Sequence, residues 1–218
     1  MAEAAKPKLV YFGIQGRAQA IRYLLTDCGV DFEDVRLTNE EWGAAKAAGT
    51  YTAPGGSLPS YIEPNGEKKN QSIAILHHLA KKHGKTCATG EEAYEMHWLY
   101  ETRKDLEEKD TFPAIFTEGA DAAIIDKFIA NVKLLMDKCD ERWADGRERC
   151  AGGPNATAGD YTLLAGYTSV VANPNLRNPR ISQECTAYAE TKPNYMRVLN
   201  KIKADCQATV DAIPAGWV

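Results

Sequence analysis

The order of apolar and polar positions predicts short strands in the first part of the chain and helices in the rest. Residues 9–12 form a β-prone apolar run, 17–27 carry apolar residues at helical spacing, and 32–37 alternate between apolar and polar positions. A short helix is indicated at 41–46. Together these segments predict a β-α-β unit followed by a second helix.

A hairpin and a further helix are predicted next. Leu58-Pro59 begins an alternating strand, residues 64–66 are typical of a hairpin turn, and Gln71-Ser72 opens an amphipathic helix. A helix start presents unpaired backbone N–H groups, so this pair could hold a small carboxylate, although an ordinary capped helix explains the same pattern. Combined with the parallel crossover before it, the hairpin predicts the thioredoxin-like order β-α-β-α-β-β-α.

Beyond the segment 84–90 the alternation disappears and helical periodicity dominates. A capping box, Thr157 with Asp160, starts a helix that we expect to be buried. The other predicted helices span 94–117, 125–143, 181–189 and 194–206. The expected fold class is therefore α/β plus all-α, with a thioredoxin-like domain at 1–84 and an all-helical domain at 91–218.

Composition and charge narrow the class of protein. The 218 residues include 26 Lys and Arg against 30 Asp and Glu, without a basic run, so nucleic acid is not expected as a partner. No apolar run is long enough for a membrane span, and residues 1–8 lack the apolar core of a signal peptide. The six cysteines show no C-x-x-C spacing and suggest reduced thiols. We therefore expect a cytoplasmic protein.

This arrangement of domains resembles the cytosolic glutathione transferases over nearly the whole chain. Residues 11–22, YFGIQGRAQAIR, resemble the opening of the tyrosine-type classes and are most similar to the sigma class. That class includes glutathione-dependent prostaglandin D synthases and lens S-crystallins. The resemblance implies reduced glutathione as co-substrate, a small hydrophobic electrophile as second substrate, a homodimer and no metal.

The resemblance also implies a binding site for the glutathione peptide. Trp42 and Lys46 fall where the family binds the glycine carboxylate, and Leu58-Pro59 matches a cis-proline turn. The residue before that proline pairs with the cysteinyl backbone of glutathione. Between these two segments, the Gly and Pro content of residues 47–56 predicts a mobile loop, which could displace Lys46.

The γ-glutamyl end of glutathione is assigned in the same way. Gln71-Ser72 matches the pair that holds the γ-glutamyl carboxylate in the family. Asp105 lies 33 positions after Ser72, where the family has an acidic residue that reaches across a dimer to the γ-glutamyl amino group. Asp105 also belongs to a local charge cluster, so a solvated acidic face is the alternative reading.

Tyr11 and Arg17 are the expected catalytic residues. A thiol with a pKa of about 8.5 is only a few per cent ionised at neutral pH. A hydroxyl that donates to the thiolate contributes about 1.5 to 3 kcal/mol and a helix N-terminus roughly 0.3 to 1 kcal/mol, which together lower the thiol pKa by about 1.5 to 3 units. Tyr11 would be that donor and Arg17 could add positive charge; a packed core tyrosine and a surface arginine are the alternatives.

The hydrophobic substrate would lie against apolar side chains. Phe12, Ile14 and Phe112 are the candidates, although core packing is the more common explanation for any one of them. The apolar segment 213–218 could contribute to the same pocket. The histidines at 77, 78 and 83 lack the i, i+4 spacing of a helical metal site.

Two functions remain open at the level of sequence. The first is a glutathione transferase that conjugates reduced glutathione to hydrophobic electrophiles, with isomerase or peroxidase activity as a possible addition. The second is a catalytically weak or inactive structural or assembly subunit of the same fold. A thiol oxidoreductase is disfavoured, because residues 11–16 contain no cysteine at the first strand-helix junction.

Overall fold

The computed structural model describes residues 5–52 and 56–217, apart from the side chains of residues 107–112. A four-stranded mixed sheet in the order β2-β1-β3-β4 lies in the first part of the chain. β1 and β2 are parallel, whereas β1 with β3 and β3 with β4 are antiparallel. The strands are β1 Lys8–Phe12, β2 Glu33–Leu37, β3 Ser60–Ile62 and β4 Lys68–Asn70.

Helices cover the sheet and predominate in the rest of the described chain. A short 3-10 turn, Gly16–Ala18, leads directly into the first of them. The helices are α1 Gln19–Asp27, α2 Asn39–Ala48, α3 Ser72–Lys82, α4 Gly90–Arg103, α5 Lys109–Phe116, α6 Ala122–Arg142, α7 Ala158–Gly166, α8 Pro179–Ala189, α9 Pro193–Asp205 and α10 Gln207–Asp211. The predicted fold class and the order β-α-β-α-β-β-α are confirmed.

The helix predicted at 94–117 differs from the observed structure in two ways. It begins earlier, at Gly90, because the Thr89 hydroxyl accepts the backbone N–H of Glu92 at 3.1 Å and caps the first turn. It is also divided by a π-helical turn, Lys104–Glu108, before α5. Pro113 within α5 has no N–H to donate, which removes one helical hydrogen bond.

The capping box before α7 is present and buried. The Asp160 carboxylate accepts the backbone N–H of Thr157 at 2.6 Å and its hydroxyl at 3.1 Å, and it also accepts the N–H of Cys150 at 3.0 Å. Its side chain therefore joins the loop before α7 to the first turn of the helix. This arrangement allows α7 to be buried along its length.

Helix α7 connects the helical region to the first part of the chain. It packs against α1. The Tyr23 hydroxyl donates to Thr168 Oγ at 2.9 Å, and the Tyr161 hydroxyl donates to Asp27 at 2.6 Å. These bonds fix the position of α1, whose N-terminus faces the end of β1.

Candidate active site

Several chain segments meet at one edge of the sheet. β1 and β2 are parallel and therefore end at the same edge. The antiparallel pairs Val10 with Ser60 and Ser60 with Asn70 bring the start of β3 and the end of β4 to that edge. Tyr11, which follows Val10, and Gln71, which follows Asn70, consequently lie at this edge of the sheet.

Tyr11 is held against the turn that starts the first helical segment. Its side chain is 8% exposed, and its phenolic oxygen accepts the backbone N–H of Arg17 at 3.3 Å. Burial raises the pKa of Tyr11, while the Arg17 N–H and the charges of Arg17 and Arg22 oppose that rise. The phenol is therefore protonated at neutral pH, and an oxygen that accepts one hydrogen bond can still donate its own hydrogen.

Gly16 allows this close approach. Its φ of +41° lies in the left-handed region, and a Cβ atom at this position would come within 2.9 Å of the Tyr11 hydroxyl oxygen. A side chain at residue 16 would therefore displace the phenol or the turn. This glycine links the backbone conformation of the loop to the position of the hydroxyl.

The predicted anion site lies at the start of α3. Ser72 is the first residue of the helix, and the preceding Gln71 has a φ of +73°, a conformation that residues other than glycine rarely adopt. Such a backbone costs on the order of 1–3 kcal/mol and is typical of binding sites. The side chain of Asn70 donates to the Ser57 carbonyl at 3.0 Å, which joins this helix start to the segment before Leu58.

The peptide bond between Leu58 and Pro59 is cis, as the resemblance implied. Pro59 is buried and Leu58 half-buried at the start of β3. The adjoining loop is attached on its described side, because Ser60 Oγ donates to the Tyr51 carbonyl at 2.6 Å and Thr52 is buried. Residues 53–55 of the loop that we predicted to be mobile lie outside the described residues.

Trp42 and Lys46 lie one turn apart on α2, the helix that follows β2. The Lys46 ammonium is 5.8 Å from the centre of the Trp42 ring, and the lysine is exposed. A capping box between Thr38 and Glu41 starts the helix. Lys68 Nζ donates to the Gly49 carbonyl at 2.8 Å just beyond the helix end.

The other predicted residues occupy different environments. Phe12 and Ile14 are half-buried near Tyr11, with the Phe12 ring centre 5.4 Å from that of Tyr11. Asp105 is exposed on the π-helical turn between α4 and α5. The backbone of Phe112 belongs to α5, but its side chain lies outside the described part of the structure.

Arg22 supports the loop that follows Tyr11, and the sequence did not identify this role. Its guanidinium donates to the carbonyls of Ile14 at 3.0 Å and Gln15 at 3.2 Å, and it pairs with Asp34 at 3.1 Å. Burial lowers the pKa of Arg22, and Asp34 opposes that effect. The sequence feature that could have pointed to this role is that the basic Arg22 directly follows Ile21, an apolar position of the α1 pattern.

No metal centre or membrane span is evident in the described chain. Within residues 5–52 and 56–217, no group of three or more His, Cys, Asp or Glu side chains could hold a metal ion. In the same ranges, no helix combines the length and the apolar character needed to cross a bilayer.

Known proteins are similar to this chain in sequence and in fold. No protein-family model matches the chain. It is 32% identical over 163 residues to the glutathione S-transferase class-mu 28 kDa isozyme of Schistosoma haematobium, a match that covers 72% of the chain and 75% of the relative. It is 31% identical over 153 residues to the hematopoietic prostaglandin D synthase of Gallus gallus, covering 63% of the chain and 73% of that protein.

A solved structure agrees at the level of the fold. The monomeric glutathione S-transferase Na-GST-3 of the hookworm Necator americanus superposes with a TM-score of 0.76 at 20% identity, over 96% of this chain and 98% of its own. The chain therefore belongs to the glutathione S-transferase family. The prostaglandin D synthase relative fits the sigma-like resemblance, so the family assignment made from sequence is confirmed.

Proposed function

We propose that the protein conjugates reduced glutathione to hydrophobic electrophiles, with the Tyr11 hydroxyl donating to the glutathione thiolate. The observation that carries this proposal is the meeting of Tyr11, the cis Leu58-Pro59 turn and the start of α3 at one sheet edge. A donor, an extended peptide surface and an anion site are the three features that a thiol-containing tripeptide with a terminal carboxylate requires. Family membership supports the same conclusion.

The proposed catalytic step is an attack by the thiolate on the electrophile. The sulfur forms a bond to the electrophilic carbon, and the leaving group departs with the displaced electron pair. Tyr11 stabilises the anion before the attack and stays protonated, in keeping with the rise in its pKa on burial. Arg17, whose backbone N–H already contacts the phenol, supplies positive charge at the same helix start.

The proposed binding roles follow the peptide from end to end. Trp42 and Lys46 bind the glycine carboxylate, Leu58 pairs with the cysteinyl backbone, and Gln71-Ser72 bind the γ-glutamyl carboxylate. Residues 1–84 form the glutathione-binding domain in this proposal, and 91–218 supply the hydrophobic site together with Phe12, Ile14 and Phe112. Six free cysteines are consistent with a cytoplasmic location.

A pair of substitutions tests the two halves of the proposal. Tyr11→Phe should raise the pKa of the bound glutathione thiol and lower kcat/KM by about ten- to a hundredfold, because the donor to the anion is lost. Ser72→Ala should raise the Kd for glutathione by about tenfold with a smaller effect on turnover. Ultraviolet titration of the bound thiolate, equilibrium binding and conjugation of a chlorinated nitrobenzene provide the measurements.

The two results have different meanings. An unchanged thiol pKa in Tyr11→Phe would exclude Tyr11 as the activating donor. If the unmodified protein neither binds glutathione nor turns over an electrophile, a structural role within the same fold would replace the proposed enzyme.

The proposal includes a homodimer in which Asp105 of one subunit reaches the γ-glutamyl amino group in its partner. Two large exposed apolar residues, Ile73 on α3 (44% exposed) and Tyr94 on α4 (56% exposed), support such an interface. The two helices are in contact, since the rings of His77 and His97 stack at 5.2 Å. The exposed position of Asp105 further along the same helical segment is compatible with contact to a second chain.

A further inference from the structure

The segment after α10 returns to the first part of the chain and ends against the support of the active-site loop. Trp217 lies with its ring centre 4.2 Å from the Arg36 guanidinium carbon and 4.8 Å from that of Arg22. Its backbone carbonyl accepts the side chain of Asn175 at 3.2 Å. We expected the segment 213–218 to contribute to the substrate pocket. In the described part of this segment, the Trp217 indole instead lies against two arginine side chains. Residue 218 lies outside the described residues.

The two arginines share one carboxylate. Arg22 pairs with Asp34 at 3.1 Å and Arg36 pairs with the same oxygen at 2.9 Å. Arg22 is only 5% exposed, whereas the Arg36 side chain is 43% exposed. The indole of Trp217 lies over both guanidinium groups, and this cation–π arrangement is strongest at the buried Arg22, where less water competes.

Arg22 connects this cluster to the catalytic loop. Its guanidinium bonds the carbonyls of Ile14 and Gln15, and the loop continues into Gly16 and the Arg17 N–H that contacts the Tyr11 oxygen. The charge of Arg22 also acts on Tyr11 itself. The orientation of one guanidinium thus influences both the backbone that holds the phenol and the electric field at its oxygen.

We infer that Trp217 is a positioning residue for glutathione activation, acting through Arg22 on the loop that follows Tyr11. The indole keeps water from the Arg22–Asp34 pair and limits the movement of the guanidinium, so that the two loop carbonyls stay in place. The inference rests on the proposed function, because its effect is read from the thiol that Tyr11 is proposed to stabilise. Trp217, in the last described segment of the chain, therefore acts on the first step of the reaction, the ionisation of the glutathione thiol.

The test compares substitutions of Trp217 with a matched change elsewhere. Trp217→Leu keeps apolar bulk but removes the aromatic face; it should raise the pKa of bound glutathione and lower kcat/KM near neutral pH by about three- to tenfold. Trp217→Phe restores an aromatic face and should return both values close to those of the unmodified protein. The pH profile of kcat/KM and the ultraviolet titration of the thiolate are the two readouts.

Tyr188→Leu is the matched control. Tyr188 on α8 also lies against two cations, with Lys192 at 4.6 Å and Lys133 at 5.5 Å from its ring centre, but its hydroxyl bonds Asp137 of α6. This variant should lower the Tm without moving the thiol pKa. If Trp217→Leu behaves like Tyr188→Leu, with a lower Tm and an unchanged thiol pKa, the inference is overturned and Trp217 is only structural.

Two additional variants are measured so that every result either supports or contradicts the inference. If Trp217→Leu does not fold, Asn175→Ala replaces it, because this variant loosens the same segment by removing the hydrogen bond to the Trp217 carbonyl. A rise in the thiol pKa in Asn175→Ala, smaller than that expected for Trp217→Leu, supports the inference. No rise overturns it. Tyr11→Phe is measured in parallel. If the thiol pKa shifts in Tyr11→Phe but not in Trp217→Leu, the inference alone is contradicted. If it does not shift in Tyr11→Phe, the proposed role of Tyr11 as the donor is contradicted.

Discussion

At the scale of single residues, the environment of the Tyr11 hydroxyl determines what this phenol can do. Burial raises the pKa of Tyr11, so the group remains a donor over the physiological range. The Arg17 N–H fixes the oxygen at 3.3 Å, and Gly16 gives the ring room to approach the turn. Each of these contacts lies within six residues of Tyr11, so the local segment assembles the donor.

Gly16→Ala should impair this donor. The new Cβ would lie 2.9 Å from the Tyr11 hydroxyl oxygen, and the φ of +41° disfavours any side chain. We expect kcat/KM to fall by about tenfold or more and the free energy of unfolding by about 1–2 kcal/mol. Steady-state kinetics and urea unfolding measure the two effects.

Gly13→Ala is the control in the same loop. A Cβ at Gly13 would have no atom within 4 Å, and its φ lies outside the left-handed region. Its kcat/KM should stay within about twofold of the unmodified protein. Equal losses in the Gly13 and Gly16 variants would contradict a specific contact between residue 16 and the phenol.

At the scale of elements, a buried ion cluster joins α4 to α6 and to the loop after it. Glu95 accepts hydrogen bonds from Arg142 at 2.5 and 2.7 Å and from Arg147 at 2.8 Å. Burial by itself would raise the pKa of Glu95, but the hydrogen bonds and charges of the two arginines outweigh it and hold the pKa below its ordinary value. The cluster therefore depends on the ionised carboxylate.

The pH dependence of stability should reflect Glu95. Because the pKa of Glu95 is depressed in the folded state, its contribution is complete above the unfolded pKa of about 4.3 and is lost as the pH falls through the folded value. Glu95→Gln should lower the free energy of unfolding at pH 7 by roughly 2–4 kcal/mol and flatten its decline below about pH 4.3. Urea unfolding across this pH range measures both changes.

Glu184→Gln is the exposed counterpart. Glu184 also bonds two cations, Lys133 at 2.9 Å and Arg180 at 2.6 Å, but in contact with solvent. Its replacement should cost less than about 1 kcal/mol, since screening weakens exposed pairs. Similar losses for the two glutamates would show that burial is not what makes the Glu95 cluster effective.

At the scale of the whole molecule, the active site would be completed by a second chain. The proposed interface contains Ile73 and Tyr94, and the first of these directly follows Ser72. An interface there would bring the partner's helical segment close to the γ-glutamyl end of glutathione. The related hookworm structure is described as monomeric, so the oligomeric state of this chain requires measurement.

Tyr94→Glu tests this interface. We expect the unmodified protein to sediment as a dimer and the variant, which puts a charge on an apolar contact, to shift toward monomer with at least about tenfold weaker glutathione binding. Leu134→Glu is the control, because Leu134 is similarly exposed at 42% but lies on α6. A monomeric unmodified protein, or a dimeric Tyr94→Glu variant, would contradict the proposed interface.

Much of the architecture follows from local patterns, because apolar periodicity and caps act over a few residues. The β-α-β-α-β-β-α order and the Thr157 capping box could be predicted in this way. The boundary errors have local causes too: the Thr89 cap extends α4 to an earlier start, and the π-helical turn divides a segment whose apolar spacing is continuous. Periodicity alone does not distinguish a π turn from the α-helix around it.

The sequence by itself determined the family, the fold class and the residues to examine, since each of these depends on residue types in a fixed order along the chain. Only the tertiary structure decided that Arg22 is buried, that it bonds the loop after Tyr11, and that Trp217 covers its guanidinium. The physical reason is that the Trp217 contact joins residues from opposite ends of the described chain, and that the bonds from Arg22 to carbonyls seven and eight residues away become buried only when distant elements pack around them. Their energy depends on burial and distance, which arise only when the segments pack together.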